Sequence, residues 1–186
     1  MGTSLFILGG ARSGKSRFAL TAQDGHRRVA FLATARPGDA DMAARIARHR
    51  AERPAHWRTV EEPFALVERL AELAGGVDAV LVDCLTLWVA NLLQRGDDDA
   101  AVLGHADALA RAIRASRAAL TLVSNEVGLG VHPPTAEGIR FQDVLGLVNQ
   151  RVAAACDRVV LLVAGLPLPI KEPVRSALDD AFIDAP

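Results

Sequence analysis

The chain has no tyrosine, and aromatic residues make up only 4% of it. That removes the stacking platform on which single-strand nucleic-acid binders rely. Charges of the two signs nearly cancel, to a net −1, so no basic field draws the protein to a polyanion, and no nucleic-acid partner is expected. The only two cysteines, Cys84 and Cys156, stand far apart in apolar segments. A disulfide framework is therefore not expected, and the reducing cytoplasm fits better. Long apolar runs are missing as well. The longest, Ala79 to Leu93, contains Asp83 and Asn91 and falls short of a membrane span. Ser4 to Leu8 is too short, and lacks the basic lead-in, to read as a signal peptide.

What remains is a chain of 186 residues, 51% hydrophobic and 23% charged, which suits a globular protein and not a disordered one. Its length favours a single domain over residues 1–186, large enough to bury a continuous core. Short apolar runs at Ser4–Leu8, Arg28–Ala33, Ala79–Val82, Thr121–Ser124 and Arg158–Val163 read as strands, with Trp57–Val60 as a weaker sixth. All but the first are nearly continuous in Val, Leu, Ile, Ala and Phe, as parallel strands covered on both faces should be. Helical patterns fall between them at Lys15–Gln23, Asp39–Arg53, Phe64–Leu73, Leu85–Gln94, Asp98–Ser116 and Glu137–Cys156. The acidic turn Gly96–Asp99 is placed to cap one of them. The alternation predicts an α/β fold with a mostly parallel central sheet and helices on both faces. After Gly165 the pattern breaks up, and residues 172–186 read as a loosely held tail.

One motif carries explicit chemistry. Gly9, Gly10, Ala11, Arg12, Ser13, Gly14, Lys15 and Ser16 fit G-x-x-x-x-G-K-[ST] in full, between an apolar strand and a helix. The glycines let several backbone N–H groups face one anion, Lys15 offsets charge on the β- and γ-phosphates, and the Ser16 hydroxyl suits Mg²⁺. The helix that follows adds its positive N-terminal end. Chance would give such a match in roughly 1% of chains this long or fewer. A P-loop nucleotide-binding protein, RecA-like in its sheet, is the expected fold class.

Such a loop needs a second metal-side carboxylate at the end of another strand. Four apolar residues and then Asp83 supply a candidate. The alternative is that Asp83 caps the helix at Leu85; the loop upstream favours the metal-side role.

In the helical pattern Asp39–Arg53, Arg45, Arg48, His49, Glu52 and Arg53 share one face, and Ala43, Ala44, Ala47 and Ala51 share the other. The alanine face can pack closely on the sheet. Arg45 and Arg53 flank His49 at helical spacing, and neighbouring cations keep an imidazole neutral, as a nucleophile requires. On the residues alone, an incidental histidine on a solvated face is the commoner case. His26, His56, His105 and His132 carry still less signal.

Taken together, several segments resemble one family. They are the loop Gly9–Ser16, the run Asp41 to Pro54 with Trp57, Arg58 and Thr59, and the run Asp83 to Leu92. Ser124 to Gly130, Phe141 to Asp143, Gly146, Asn149 and Gln150 complete the set. The family is the bifunctional adenosylcobinamide kinase and adenosylcobinamide-phosphate guanylyltransferase of cobalamin biosynthesis, and the resemblance runs from about Leu5 to Lys171. It implies two reactions with Mg²⁺. ATP or GTP first phosphorylates adenosylcobinamide. GMP from GTP then passes through a histidine phosphoramidate to adenosylcobinamide phosphate, giving adenosylcobinamide-GDP and pyrophosphate. Position by position, the nucleophile falls on His49, which reverses the reading of that residue. Nucleotide contacts fall on Gly9–Ser16, Ala33, Thr34, Ala35, Arg50, Ala51, Glu52, Arg53, Glu61 and Asp83, with Ser16 and Asp83 on the metal side. The resemblance also implies a homo-oligomer, commonly a trimer.

Asn125 and Glu126 follow a strand and can reach the carboxyl edge of the sheet; the alternative is an ordinary turn and helix cap. No residue is assigned to the corrinoid. A plain small-molecule kinase and a slow GTP-hydrolysing switch share the loop, but neither needs the His49 segment.

Overall fold

Side chains alternate between two apolar clusters along each inner strand, and that alternation makes a sheet covered on both faces. Phe6, Ala30, Leu32, Val80, Val82, Leu120 and Leu122 enter one cluster. Ile7, Phe31, Ala33, Leu81 and Val123 enter the other. The computed structural model describes residues 2–36, 38, 44, 47, 48, 50, 51 and 53–173.

The strands are β1 (Ser4–Gly9), β2 (Val29–Ala33), β3 (Arg58–Glu61), β4 (Ala79–Asp83), β5 (Ala119–Val123), β6 (Arg158–Val163) and β7 (Leu166–Lys171). They form one sheet in the order β3-β2-β4-β5-β1-β6-β7. Every pairing is parallel except β6 with β7. Among the described residues the helices are α1 (Lys15–Thr21), α2 (Leu66–Ala74), α3 (Leu85–Arg95), α4 (Asp99–Ala115) and α5 (Ala136–Ala155). Leu66 and Leu70 of α2, Trp88 of α3, Leu109 of α4 and Val148 of α5 fill the first cluster. Phe18 and Ala19 of α1 belong to the second. The expected α/β architecture is therefore the observed one, with boundaries shifted by up to two residues.

The C-terminal end was read differently from sequence. β7 was missed, because Pro167 and Pro169 lack the N–H that an inner strand must donate. An edge strand tolerates them, and β7 closes the sheet antiparallel to β6. It is anchored by Lys171, whose Nζ donates to the carbonyls of Ala153, Ala154 and Cys156 at 3.1, 3.3 and 2.5 Å, where the end of α5 favours a cation. Glu172, placed in the tail from sequence, accepts from Arg158 Nε at 3.0 Å. Residues 174–186 lie outside the described ones. The acidic turn behaves as expected: Asp98 caps α4, its carboxylate accepting from Ala101 N at 2.8 Å.

Candidate functional site

The phosphate loop follows directly from β1, and its glycines are required by geometry. Gly9 has φ +150°, and a Cβ there would stand 2.6 Å from the Leu162 carbonyl oxygen. Gly14, at the N-cap of α1, has φ 97°, a left-handed conformation that side chains disfavour. Arg12 adopts φ 57° without being glycine, which costs roughly 1–2 kcal/mol. Such strain persists where the surroundings over-determine it, as at ligand loops. Ser13 N donates to Gly10 O at 3.3 Å and Phe18 N to Gly14 O at 3.0 Å, which closes the loop onto the helix. Lys15 is buried, and its Nζ donates to Gly10 O at 2.6 Å, so the ammonium is held over the loop. Ser13 Oγ is buried without a hydrogen-bond partner among the described residues. Ala11 and Arg12 are exposed at the tip, and Ser16 lies in the first turn of α1.

The other strand ends line up beside it. In register, Ala33 pairs with Asp83 on one side and with Glu61 on the other, and Asp83 pairs with Val123 of β5. β5 in turn neighbours β1, so Asp83 is two strands from the phosphate loop, roughly 10 Å at ordinary strand spacing. The N-cap of α3 is Cys84, so Asp83 stands one residue before the helix cap.

Thr34 fixes this edge. Its buried hydroxyl donates to Cys84 O at 2.6 Å and accepts from Cys84 N at 2.9 Å, and its own N–H donates to Asp83 O at 3.2 Å. Asn91 of α3 holds the next carbonyls, donating from Nδ2 to Thr34 O at 2.8 Å and Pro63 O at 3.2 Å. Ala33 O accepts from Glu62 N at 2.8 Å, and Ala35 follows, half-buried.

Arg50 pairs with Glu61 at the end of β3. The Arg53 guanidinium lies 3.5 Å from the centroid of the Phe31 ring, a contact between a cation and an aromatic face. Burial holds Arg53 below the usual guanidinium value, while the nearby Asp83 carboxylate pulls it up; Arg50 lowers it further and Glu61 raises it. His49, Glu52 and Arg45 lie outside the described residues. Part of the helix-face expectation is corrected: Ala44, Ala47 and Ala51 are exposed, while Arg53 is half-buried. Three methyl groups offer little apolar area, whereas a guanidinium and its stem gain both packing and ring attraction on Phe31.

The sequence reading gave no role to Asn91, Arg36 or Arg95, and placed Glu126 only within reach of the carboxyl edge. Asn91 acts as a strut between two loops. Glu126 N donates to Gly9 O at 3.1 Å, bringing the segment after β5 against the phosphate loop. Arg36 and Arg95 both lie over the Phe64 ring, at 5.2 and 5.1 Å from its centroid. Asn91 and Glu126 were visible as motif residues, but their partners are distant in sequence; Arg36 gave no signal.

The donor set fits Mg²⁺. Ser16 and Asp83 offer hard oxygen ligands beside a phosphate loop, and no group of three or more His, Cys, Asp or Glu among the described residues forms an all-protein cage. An ion shared between one or two protein oxygens and substrate phosphates is the arrangement Mg²⁺ favours.

A G-x-x-x-x-G-K-S loop between a central parallel strand and a helix, with an aspartate at a nearby strand end, defines a P-loop nucleotide-binding α/β protein. The likeness to a solved ATPase from the type III secretion system of pathogenic bacteria is one of fold alone, with a TM-score of 0.54 and 14% identity over 100% of this chain and 55% of that one. The chain belongs to the cobinamide kinase / cobinamide phosphate guanyltransferase family, whose model matches residues 5–170. It is 50% identical over 167 residues to the bifunctional adenosylcobalamin biosynthesis protein CobP of Pseudomonas aeruginosa, covering 89% of this chain and 95% of that protein. It is 38% identical over 179 residues to the bifunctional adenosylcobalamin biosynthesis protein CobU of Escherichia coli, covering 90% and 99%.

Proposed function

We propose that this chain, acting as one catalytic domain, performs both reactions of its family. It phosphorylates adenosylcobinamide with ATP or GTP, then transfers GMP from GTP to the product. The observation that carries this reading is the alignment of the phosphate loop, Thr34, Asp83 and the Arg50–Glu61 pair along one carboxyl edge, with Arg53 beside Asp83.

In the first reaction, an alcohol oxygen of the corrinoid attacks the γ-phosphorus, and the bond from that phosphorus to the bridging oxygen breaks. Loop N–H groups and Lys15 hold the phosphates and offset the charge that develops on them. Ser16 and Asp83 would hold Mg²⁺, whose chemistry there is to offset phosphate charge further.

In the second reaction, a neutral imidazole nitrogen of His49 attacks the α-phosphorus of GTP and pyrophosphate leaves. A phosphate oxygen of the corrinoid product then attacks the same phosphorus, and the P–N bond breaks. The covalent intermediate splits one difficult transfer into two easier steps. Arg50 and Arg53 bind the nucleotide phosphates, a task for which planar guanidiniums are suited.

The reading also includes a homo-oligomer, a trimer by analogy with the family. Leu166, Leu168 and Ile170 of β7 support self-association, being 71%, 53% and 59% exposed. No helix among the described residues is long and apolar enough to cross a membrane, and we place the enzyme in the cytoplasm. Light scattering on purified protein tests the oligomer.

GTP labelled at the α-phosphate tests the mechanism. The protein should take up label that is acid-labile and base-stable, and His49→Ala should abolish it. Label retained in that variant would overturn the nucleophile. Absence of adenosylcobinamide turnover by the wild-type protein would overturn the function.

A further inference from the structure

The segment after β5 lies against the phosphate loop, yet its chemistry is wrong for a phosphate. Ser124 N donates to Ile7 O at 2.9 Å and Glu126 N to Gly9 O at 3.1 Å, so the chain follows β1 past its end. Asn125 N donates to Thr86 Oγ1 at 2.7 Å, which fixes the turn from the α3 side. From the other side comes α5. Its buried Asn149 donates from Nδ2 to Asn125 O at 3.1 Å, and Gln142 lies beside Gly128. Residues 142 and 149 are seven apart and therefore share a helix face, about 10 Å from each other along the axis. The helix cap of α5 is Thr135, so the alternative of Asn125 or Glu126 as that cap is excluded.

Two buried side-chain oxygens on this surface, Gln142 Oε1 and Asn149 Oδ1, have no hydrogen-bond partner among the described residues. Glu126 Oε1 accepts from Gly128 N at 2.8 Å, which orients the carboxylate, and its other oxygen has no bonded partner among the described residues. Phosphate oxygens need donors and are repelled by a carboxylate. Buried acceptors kept without a donor mark a place where one arrives. The donors wanted here are hydroxyl and amide N–H groups.

We propose that residues Asn125–Gly128 and the facing side of α5 form the acceptor side of the kinase site, with Glu126 as the base that takes the proton of the attacking hydroxyl. The proposal rests on the function given above. Its ligand is then a substrate with an alcohol group to be phosphorylated and several primary carboxamides. As the alcohol oxygen bonds to the γ-phosphorus, its proton passes to the Glu126 carboxylate, and the nucleoside diphosphate departs with the bridging oxygen. Gln142 Oε1 accepts from a carboxamide N–H of the same substrate. Asn149 is a positioning residue, holding the Asn125 carbonyl.

Kinetics on the full chain test this, with adenosylcobinamide and GTP varied separately in wild type, Glu126→Gln and Gln142→Leu. Uptake of label from α-labelled GTP, which uses no corrinoid, serves as the check of fold. Glu126→Gln should lower kcat for phosphorylation about 100-fold or more, within the range for loss of a general base. Gln142→Leu should raise KM for adenosylcobinamide about tenfold, the cost of one lost hydrogen bond, with KM for GTP little changed. A Glu126→Gln enzyme with kcat near wild type overturns the base. A parallel fall in GTP affinity and label uptake in both variants overturns the site, because it would show a structural role. A wild-type enzyme that takes up label but leaves cobinamide untouched overturns the functional reading first, and this assignment with it.

Discussion

Gly165 donates its N–H to the Ser13 carbonyl at 2.9 Å, so the turn between β6 and β7 braces the phosphate loop. The contact is close on the Gly14 side alone. A Cβ on Gly14 would stand 3.2 Å from Gly165 Cα, whereas a Cβ on Gly165 would meet open space. The two glycines therefore predict different outcomes. Gly165→Ala adds only the strain of φ 84°, about 1 kcal/mol, or roughly 2–4 °C in Tm for a chain of this size. Gly14→Ala adds the same kind of strain and presses the loop against its brace. GTP affinity should then fall about tenfold or more, a loss of at least ~1.4 kcal/mol. Calorimetric titration of both variants checks this, and equal GTP affinities would show that the hairpin does not support the loop.

The Arg53–Phe31 contact makes a second prediction. Phe31 is almost wholly buried, so Phe31→Leu keeps the position apolar while removing the ring face under the guanidinium. A contact between a cation and an aromatic ring is worth about 0.5–2 kcal/mol. If Arg53 binds nucleotide, GTP affinity should drop by roughly twofold to thirtyfold. Arg53→Ala should cost more, because it removes the charge as well. Unchanged affinity in both variants would remove Arg53 from the site.

These two cases show what the sequence could and could not reveal. The phosphate loop was legible because its spacing is local and fixed by the shape of one anion. The inner strands were legible because burial on both faces leaves a nearly continuous apolar run. Helical periodicity identified which residues of Asp39–Arg53 share a face, but it cannot say which face turns inward. Arg53 goes in because Phe31, on β2, is there to receive it. β7 was hidden by its prolines, whose exclusion from strands lapses at a sheet edge. The Ser13–Gly165 and Asn125–Asn149 contacts join positions that no local pattern connects.

Asn91 is the polar strut most exposed to test. Its buried amide donates to two carbonyls, Thr34 O and Pro63 O, at the ends of different loops. Asn91→Leu has a similar volume but leaves both carbonyls without that donor. The expected loss is about 2–4 kcal/mol, seen as a Tm lowered by roughly 5–15 °C. Nucleotide affinity should weaken too, since Thr34 and Ala35 lose their anchor. A thermal melt within about 2 °C of wild type would show that the loops are held by other contacts.

Asp157 supplies a pH dependence with a definite sign. Its Oδ2 accepts from Ser4 Oγ at 2.7 Å and from Ser4 N at 2.8 Å, joining the start of β6 to the start of β1. The Ser4 hydroxyl holds the carboxyl below its ordinary value, against a smaller opposing effect of burial; the Ser4 amide and Lys171 lower it further. A carboxyl depressed in the folded state contributes stability above its unfolded value, about 3.9, and loses it as pH falls through the folded value. Asp157→Ala should therefore destabilise the protein at pH 7, by about 1 kcal/mol for part-buried hydrogen bonds of this kind. Below about pH 4 the gap between variant and wild type should narrow, because the wild-type carboxyl is then becoming protonated. Urea unfolding at a series of pH values measures it. A gap that stays constant from neutral to acid pH would mean that the ionised carboxylate contributes nothing and that Ser4 is held by geometry alone.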